Sequence, residues 1–318
     1  MLETMFGSLL SVTLATSAVI AVLLLASALL GRRYGATWKV WIWLALAVRL
    51  LIPLNITLPV PPVEISAPSR VIVTGAPQEA IELGGQAAAP TQPLPDATMP
   101  PRQTAKSTSF TPLELAAQLW IVGAVLTAAA QLAGGWRFFR EVSRWAVPAS
   151  ESAQAVLLEA AHRIGLAEEQ LPALRICPAI PGPMMTGMLH PVILLPRETI
   201  DEPTLSFILQ HELTHLRRHD IAAKLLLAGA VTLHWFNPLV WLMGREAGRD
   251  IELACDQEVV MGQNADFRAR YGETILAAVR ERSRRAPILS TCFDAGENGV
   301  RRRLTELFDV APKRRGAA

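Results

Sequence analysis

From Met5 to Leu30 the chain runs 26 residues without a charge. A helix of about 20 apolar residues covers the roughly 30 Å hydrocarbon core of a bilayer, so this segment is long enough to span one with some tilt. Glu3 precedes the run and Arg32-Arg33 follow it. A secretory leader has the opposite order, a basic start and a shorter apolar core. The run therefore reads as a retained membrane helix with its N-terminus outside. A second span is expected from Trp38 to about Thr57, with Arg49 inside it, and a third over 112–135, interrupted only by Glu114. An arginine at such depth is expected to pair within the bundle, with Glu114 or Gln118 as its partner.

Charge orients these spans. Arg32, Arg33 and Lys39 lie between the first two, and Arg137, Arg140 and Arg144 follow the third. Both groups belong in the cytoplasm by the excess of positive charge on inner loops. The expected organisation is two transmembrane helices with a short cytoplasmic loop over 1–58, an extracytoplasmic loop over 59–111, a third transmembrane helix over 112–135, and a cytoplasmic domain over 136–318. The outside loop is broken by prolines from Pro59 to Pro101 and has little to bury, so it reads as extended or disordered. The net charge of +2 says little about partners. The arginines that crowd the C-terminal region, among them Arg268, Arg270, Arg301, Arg302 and Arg303, read as a solvated face toward lipid headgroups. No nucleic-acid recognition motif accompanies them, so no direct nucleic-acid contact is expected.

Within the inner domain stands His211-Glu212-Leu213-Thr214-His215. Histidines at i and i+4 share a helix face and reach one metal, and the glutamate between them can activate a water. Five residues with three fixed positions match by chance often enough that context must decide. Here the context is a short strand from Ala173, two apolar runs between Ile180 and Pro196, and a helix starting at Asp201 or Glu202 with Pro203 in its first turn. The edge of such a sheet can pair with a substrate backbone. Further on come Glu252 and Asp256, again at i and i+4. Alone they would read as surface acids. Coupled to the upstream motif, Glu252 is the candidate third metal ligand, and Asp256 the acceptor for the outer nitrogen of a ligand histidine. Tyr271, His219 and His234 are candidate stabilisers of the tetrahedral oxyanion. Cys177, Cys255 and Cys292 have no paired spacing and read as small buried hydrophobes.

Residues 221–243 are apolar enough to suggest a fourth crossing. That would put Glu252 across the bilayer from His211 and His215. Asn237-Pro238 interrupts the run with a turn signal. The expectation is a membrane-abutting helical hairpin, reversing at Asn237-Pro238, whose second helix carries Glu252. The fold class is thus an α+β membrane protein, with three N-terminal transmembrane helices and a cytoplasmic zinc metallopeptidase domain.

Four blocks in order, Pro183 to Pro196, Leu205 to Asp220, His234 to Trp241 and Glu252 to Asp256, resemble the BlaR/MecR antirepressor family of integral-membrane zinc metallopeptidases. The resemblance implies a gluzincin-like fold, with Zn2+ held by His211, His215 and Glu252 and Glu212 as the base. It implies signalling by self-cleavage, near Cys292-Phe293 here, and loss of a helix-turn-helix repressor as the protein substrate. In that family a final span and a penicillin-binding sensor domain follow the basic helix near Arg301. This sequence stops at Ala318 and carries no serine-lysine acylation motif, so beta-lactam sensing does not carry over: the expectation is a multi-pass protein of the inner (plasma) membrane that is truncated, uses a separate sensor protein or answers another signal. The competing classes are a signalling scaffold with a structural or inactive zinc site, and a membrane quality-control protease.

Overall fold

The computed structural model describes residues 2–30, 35–52, 111–285 and 297–309. The proline-rich loop, Arg32-Arg33, Lys313 to Arg315 and the expected cleavage region at Cys292-Phe293 lie outside the described residues.

Three helices come first: α1 (Leu2–Leu30), α2 (Ala36–Leu51) and α3 (Pro112–Trp145). Among the described residues, two segments are long and apolar enough to cross a membrane, Met5–Ala26 and Pro112–Trp145. The described part of α2 has 16 residues, about 24 Å at 1.5 Å per residue, and the end of the expected second span, to about Thr57, lies outside the described residues. Leu119, Val122, Val125, Leu126 and Leu132 leave much of α3 exposed and apolar. The residue pattern from Trp136 to about Gly165 reads as helical, ending in Gly165. Instead α3 ends at Trp145, strand β1 (Val147–Pro148) intervenes, and α4 (Glu151–Ile164) starts afresh. Pro148 has no amide hydrogen for an interior helical turn, and its ring disfavours helical geometry in the residue before it. Gly165 ends α4 in the left-handed region at φ 76°, where a glycine has no steric penalty.

Strands β2 (Ala173–Ile176), β3 (Met184–Thr186) and β4 (Val192–Leu195) complete a sheet of order β1-β2-β4-β3. β2 and β4 run parallel, with Leu174 opposite Ile193, while β1 and β3 are antiparallel to their neighbours. Side chains alternate across β4. Ile193 and Leu195 face a core built with Leu157 and Ala161 of α4, whereas Leu194 faces Cys177, Ile180 and, from the far end of α3, Phe138 and Val142. β3 is an edge strand.

Helix α5 (Glu202–Arg217) closes the first of these cores with Leu205, Leu209 and Leu213. Then α6 (Asp220–Leu233) and α7 (Pro238–Val259) form the hairpin expected at Asn237-Pro238. Asn237 caps α7, its side-chain oxygen accepting from the Leu239 amide at 2.9 Å. The hairpin packs into a helical core with Val12 and Ile20 of α1, Trp43, Ala47 and Leu50 of α2, and its own Leu227, Val240 and Met243. Its tip lies level with the middle of α1: His234 meets Thr13 at 2.8 Å and Asn237 donates to Ser17 at 2.7 Å. The same His234 meets the Leu50 carbonyl at 3.1 Å. Arg49 donates to the carbonyl of Ile52 at 3.3 Å.

The tip also clasps α3. Trp120 donates to the Leu233 carbonyl at 2.9 Å, and Trp235 donates to the Trp120 carbonyl at 3.1 Å. Gly123 leaves room for the Trp235 ring, since a Cβ there would lie 2.1 Å from it. Gly123→Ala is therefore expected to destabilise the chain by about 1–3 kcal/mol through overpacking. Thermal unfolding in detergent, followed by tryptophan fluorescence, checks this; an unchanged midpoint would show that α3 does not need that contact.

Helices α8 (Ala265–Arg285) and α9 (Glu297–Phe308) finish the described chain. Tyr271, Ile275, Val300 and Leu307 pack with Phe207 of α5 and Val260.

Candidate metal centre

Asp201 starts α5, accepting from the Thr204 amide at 3.1 Å with Pro203 in the first turn. The helix then carries Glu212 and His215 on its buried side, with His211 partly buried beside them. The Nε2 atoms of His211 and His215 lie 3.2 Å apart. The hairpin brings Glu252 back to them: its Oε2 is 3.6 Å from His211 Nε2 and 3.7 Å from His215 Nε2. Donors about 2.1 Å from one ion in tetrahedral array are about 3.4 Å apart. The three atoms fit that spacing.

Hydrogen bonds behind the rings set their tautomers. Asp220 Oδ2 is 2.7 Å from His215 Nδ1. A carboxylate only accepts, so that nitrogen carries the proton and Nε2 presents its lone pair. His219, which precedes Asp220, sits in the left-handed region at φ 55° and makes the turn that begins α6. His211 Nδ1 meets the Tyr271 hydroxyl at 2.8 Å, and that hydroxyl donates to Asp256 Oδ1 at 2.7 Å. The His211 Nδ1 proton therefore goes to the tyrosine oxygen, leaving Nε2 to face the shared point. Asp256 itself is 3.4 Å from His211 Nδ1, so its hold on the ring passes mainly through Tyr271. Two basic Nε2 atoms aimed at one another repel unless a cation lies between them, which suits a metal.

Surrounding charge has the same sense. Burial works against a charged His211, yet Cys255 and Glu252 outweigh it and push its pKa up to about 10. The site thus stabilises positive charge at this point, a proton or a metal ion. Burial also opposes the charge on Glu252, but Lys224 and then His215 hold it well below the usual carboxylate range. Lys224 of α6 donates to Glu252 Oε1 at 3.1 Å, leaving Oε2 for the histidines. Burial opposes the Lys224 ammonium as well, and Glu252, then Glu212 and Asp220, keep its pKa raised.

The fold thus gathers His211, Glu212, His215, Glu252, Asp256 and Tyr271. His234 is fully buried at the hairpin tip against Thr13 and Leu50, away from this cluster. His219 shapes the α5–α6 turn. Sequence reasoning overlooked Asp220, whose signal was an acid five residues after His215, and Lys224, one turn further along α6. It also placed Arg268, Arg302 and Arg303 on a solvated face, and the structure corrects this. Arg268 donates to the Leu307 and Val260 carbonyls at 3.0 Å each. Arg302 and Arg303 turn onto Asp250 and Asp256. Buried carboxylates on α7 draw them inward, a pairing that charge sign alone cannot foretell.

Cys255, read as a small buried hydrophobe, is fully buried and lies against the histidine pair. Its sulfur is 3.5 Å from His211 Nδ1 and 3.4 Å from the His211 carbonyl. His211, His215 and Cys255 have donor atoms within 4.8 Å of one another, a second set able to hold an ion. The Glu252 oxygen faces both Nε2 atoms, and the Cys255 sulfur likewise lies against both histidines.

A family model described as BlaR1 peptidase M56 matches residues 7–307. Curated relatives include a regulatory protein BlaR1 of Bacillus licheniformis, 30% identical over 137 residues. A methicillin resistance mecR1 protein of Staphylococcus aureus is 29% identical over 140 residues, and so is one of Staphylococcus epidermidis. The matched stretch is 42% of this chain and 22–24% of those proteins.

Proposed function

The chain belongs to the BlaR1 peptidase M56 family, and from that premise we propose that it is a membrane-embedded, zinc-dependent endopeptidase acting in transmembrane signalling. The observation that carries the reading is the triangle of His211 Nε2, His215 Nε2 and Glu252 Oε2, with sides of 3.2, 3.6 and 3.7 Å. Three protein ligands leave a position open, as a catalytic site requires. When bound there, zinc supplies Lewis acidity that polarises a carbonyl and acidifies a water. The chain's own residues do the rest. Asp220 and the Tyr271–Asp256 pair hold the two imidazoles in their ligating tautomer. Glu212 takes the proton of the attacking water and passes it to the leaving amine. The free edge of β3 accepts an extended substrate segment as an added strand.

Three crossings by α1, α2 and α3, with the N-terminus outside, put the metal centre on the cytoplasmic side, and the positive residues around them support that orientation. The substrates we assign are the chain's own segment near Cys292-Phe293 and a helix-turn-helix repressor protein.

Cys255 favours one rival reading. If its sulfur joined the other three donors, the site would be closed and structural. Metal content and peptide-bond hydrolysis of the full-length chain in detergent separate the two. Glu252→Ala is expected to lose the metal and the activity, and Cys255→Ala to keep both. Equal metal loss in the two variants, with no hydrolysis by the wild type, would establish the closed site instead.

A further inference from the structure

Helix α9 sets two adjacent arginines on two carboxylates of α7. Arg303 grips Asp256 with Nε to Oδ2 at 2.6 Å and a terminal nitrogen to Oδ1 at 2.8 Å, and its other terminal nitrogen lies 3.8 Å from Glu252 Oε2. Its neighbour Arg302 reaches Asp250 at 3.2 Å and Glu246 at 3.6 Å. The two aspartates lead in different directions. Asp256 leads to the metal centre through the Tyr271 hydroxyl and His211 Nδ1. Asp250 leads to α2, where Lys39 Nζ donates to it at 2.9 Å and Trp43 Nε1 at 2.9 Å. Gln257 makes a parallel tie: it accepts from the Ala36 amide at the start of α2 at 2.9 Å and donates to Glu306 of α9 at 3.4 Å.

We propose that α9 is the positioning arm of the metal centre: Arg303 fixes Asp256 and, through Tyr271, the ring of His211, while Arg302 and Gln257 make that hold depend on the placement of α2. The proposal rests on the metallopeptidase reading above. Its physics is the need of a buried carboxylate for a geometric partner. Asp256 is 3% exposed, and a bidentate guanidinium is the side chain that holds both its oxygens in one plane. With the carboxylate plane fixed, the tyrosine hydroxyl has one direction in which to donate and so presents its oxygen to His211 Nδ1. Without Arg303 the carboxylate can turn, the hydroxyl follows, and the ligand ring loses the contact that orients it. Partners behind a ligand histidine weigh on affinity in this way. Lys39 and Trp43 give the relay an origin in a helix that we read as membrane-spanning.

The test uses the full-length chain in detergent with cobalt(II) as the probe metal, whose visible bands report ligand geometry. The wild type is expected to bind one equivalent. Arg303→Met should weaken binding about tenfold and shift the bands. Arg303→Lys, which keeps the charge without the fork, should restore part of the affinity. Arg302→Gln leaves Asp250 paired with Lys39. It should produce a smaller loss that disappears in the Arg303→Met background. Wild-type affinity and bands in Arg303→Met, or in Arg303→Lys if the methionine variant does not fold, would overturn the proposal. So would an Arg302→Gln effect that simply adds to that of Arg303→Met. A wild-type chain that binds no cobalt sinks the metal reading itself, and the arm with it.

Discussion

Glu212→Gln is expected to leave the protein loaded with metal while slowing peptide-bond hydrolysis by about 10²–10⁴-fold, the contribution of a positioned general base. That loss corresponds to about 2.7–5.4 kcal/mol of barrier. The argument is one of contrast among the acids of the site. Glu252 is engaged by Lys224 and both histidines, Asp220 by His215 and Arg218, and Asp256 by Tyr271 and Arg303. Glu212 is 7% exposed, yet among the described residues its carboxylate makes no hydrogen bond. No buried side-chain oxygen of the described residues lacks a partner, so the Glu212 oxygens keep a path to water. A group committed to three neighbours is a poor proton shuttle, and one open to solvent beside the ligand triangle is a good one. Glutamine keeps size and shape and removes the basicity. The measurement is cleavage of a peptide substrate by the full-length chain, with metal content determined on the same sample. Cleavage at the wild-type rate would assign the base elsewhere; loss of metal would make Glu212 a structural residue.

The parts of this fold that were legible were those with local causes. The Asn237 cap and Pro238 announce a reversal, and the need for Glu252 to reach His211 turns that reversal into a hairpin. Asp201 and Pro203 mark the start of α5 in the same way. The apolar run of α1 is long enough to declare itself. What stayed hidden depended on distant partners. Arg303 and Tyr271 are 47 and 15 residues from Asp256 along the chain, and no periodicity links them. An arginine in a basic cluster has the sequence appearance of a solvated side chain until a buried carboxylate is found opposite it. Cys255 gives no spacing signal because its neighbours in the site come from another helix. The depth of the hairpin was likewise invisible, since Thr13 and Ser17 are polar residues in an apolar run whose partners, His234 and Asn237, lie more than two hundred residues on.

The largest expected change in stability comes from the joint between α2 and α7. Asp250 is 1% exposed and Lys39 5% exposed. Their oxygen and nitrogen are 2.9 Å apart, and Trp43 Nε1 donates to the other oxygen at 2.9 Å. Asp250→Asn keeps an acceptor for Trp43 but takes away the charge opposite Lys39. Leaving a buried ammonium without its counter-charge costs about 3–5 kcal/mol, because its hydration has already been given up. Arg302 adds a second positive charge on the same side, 3.2 Å from Asp250 Oδ1, and retains Glu246 as a partner. The double variant Lys39→Met/Asp250→Asn removes both buried charges at nearly constant volume. Replacing a buried pair as a unit is close to neutral, so the double variant should recover most of what the single one loses. Unfolding of the full-length chain in mixed micelles, for the wild type, both single variants and the double, gives the coupling energy directly. A single Asp250→Asn variant within about 0.5 kcal/mol of wild type, the range of an ordinary surface change, would show that this pair does not hold α2 to the helix that carries Glu252.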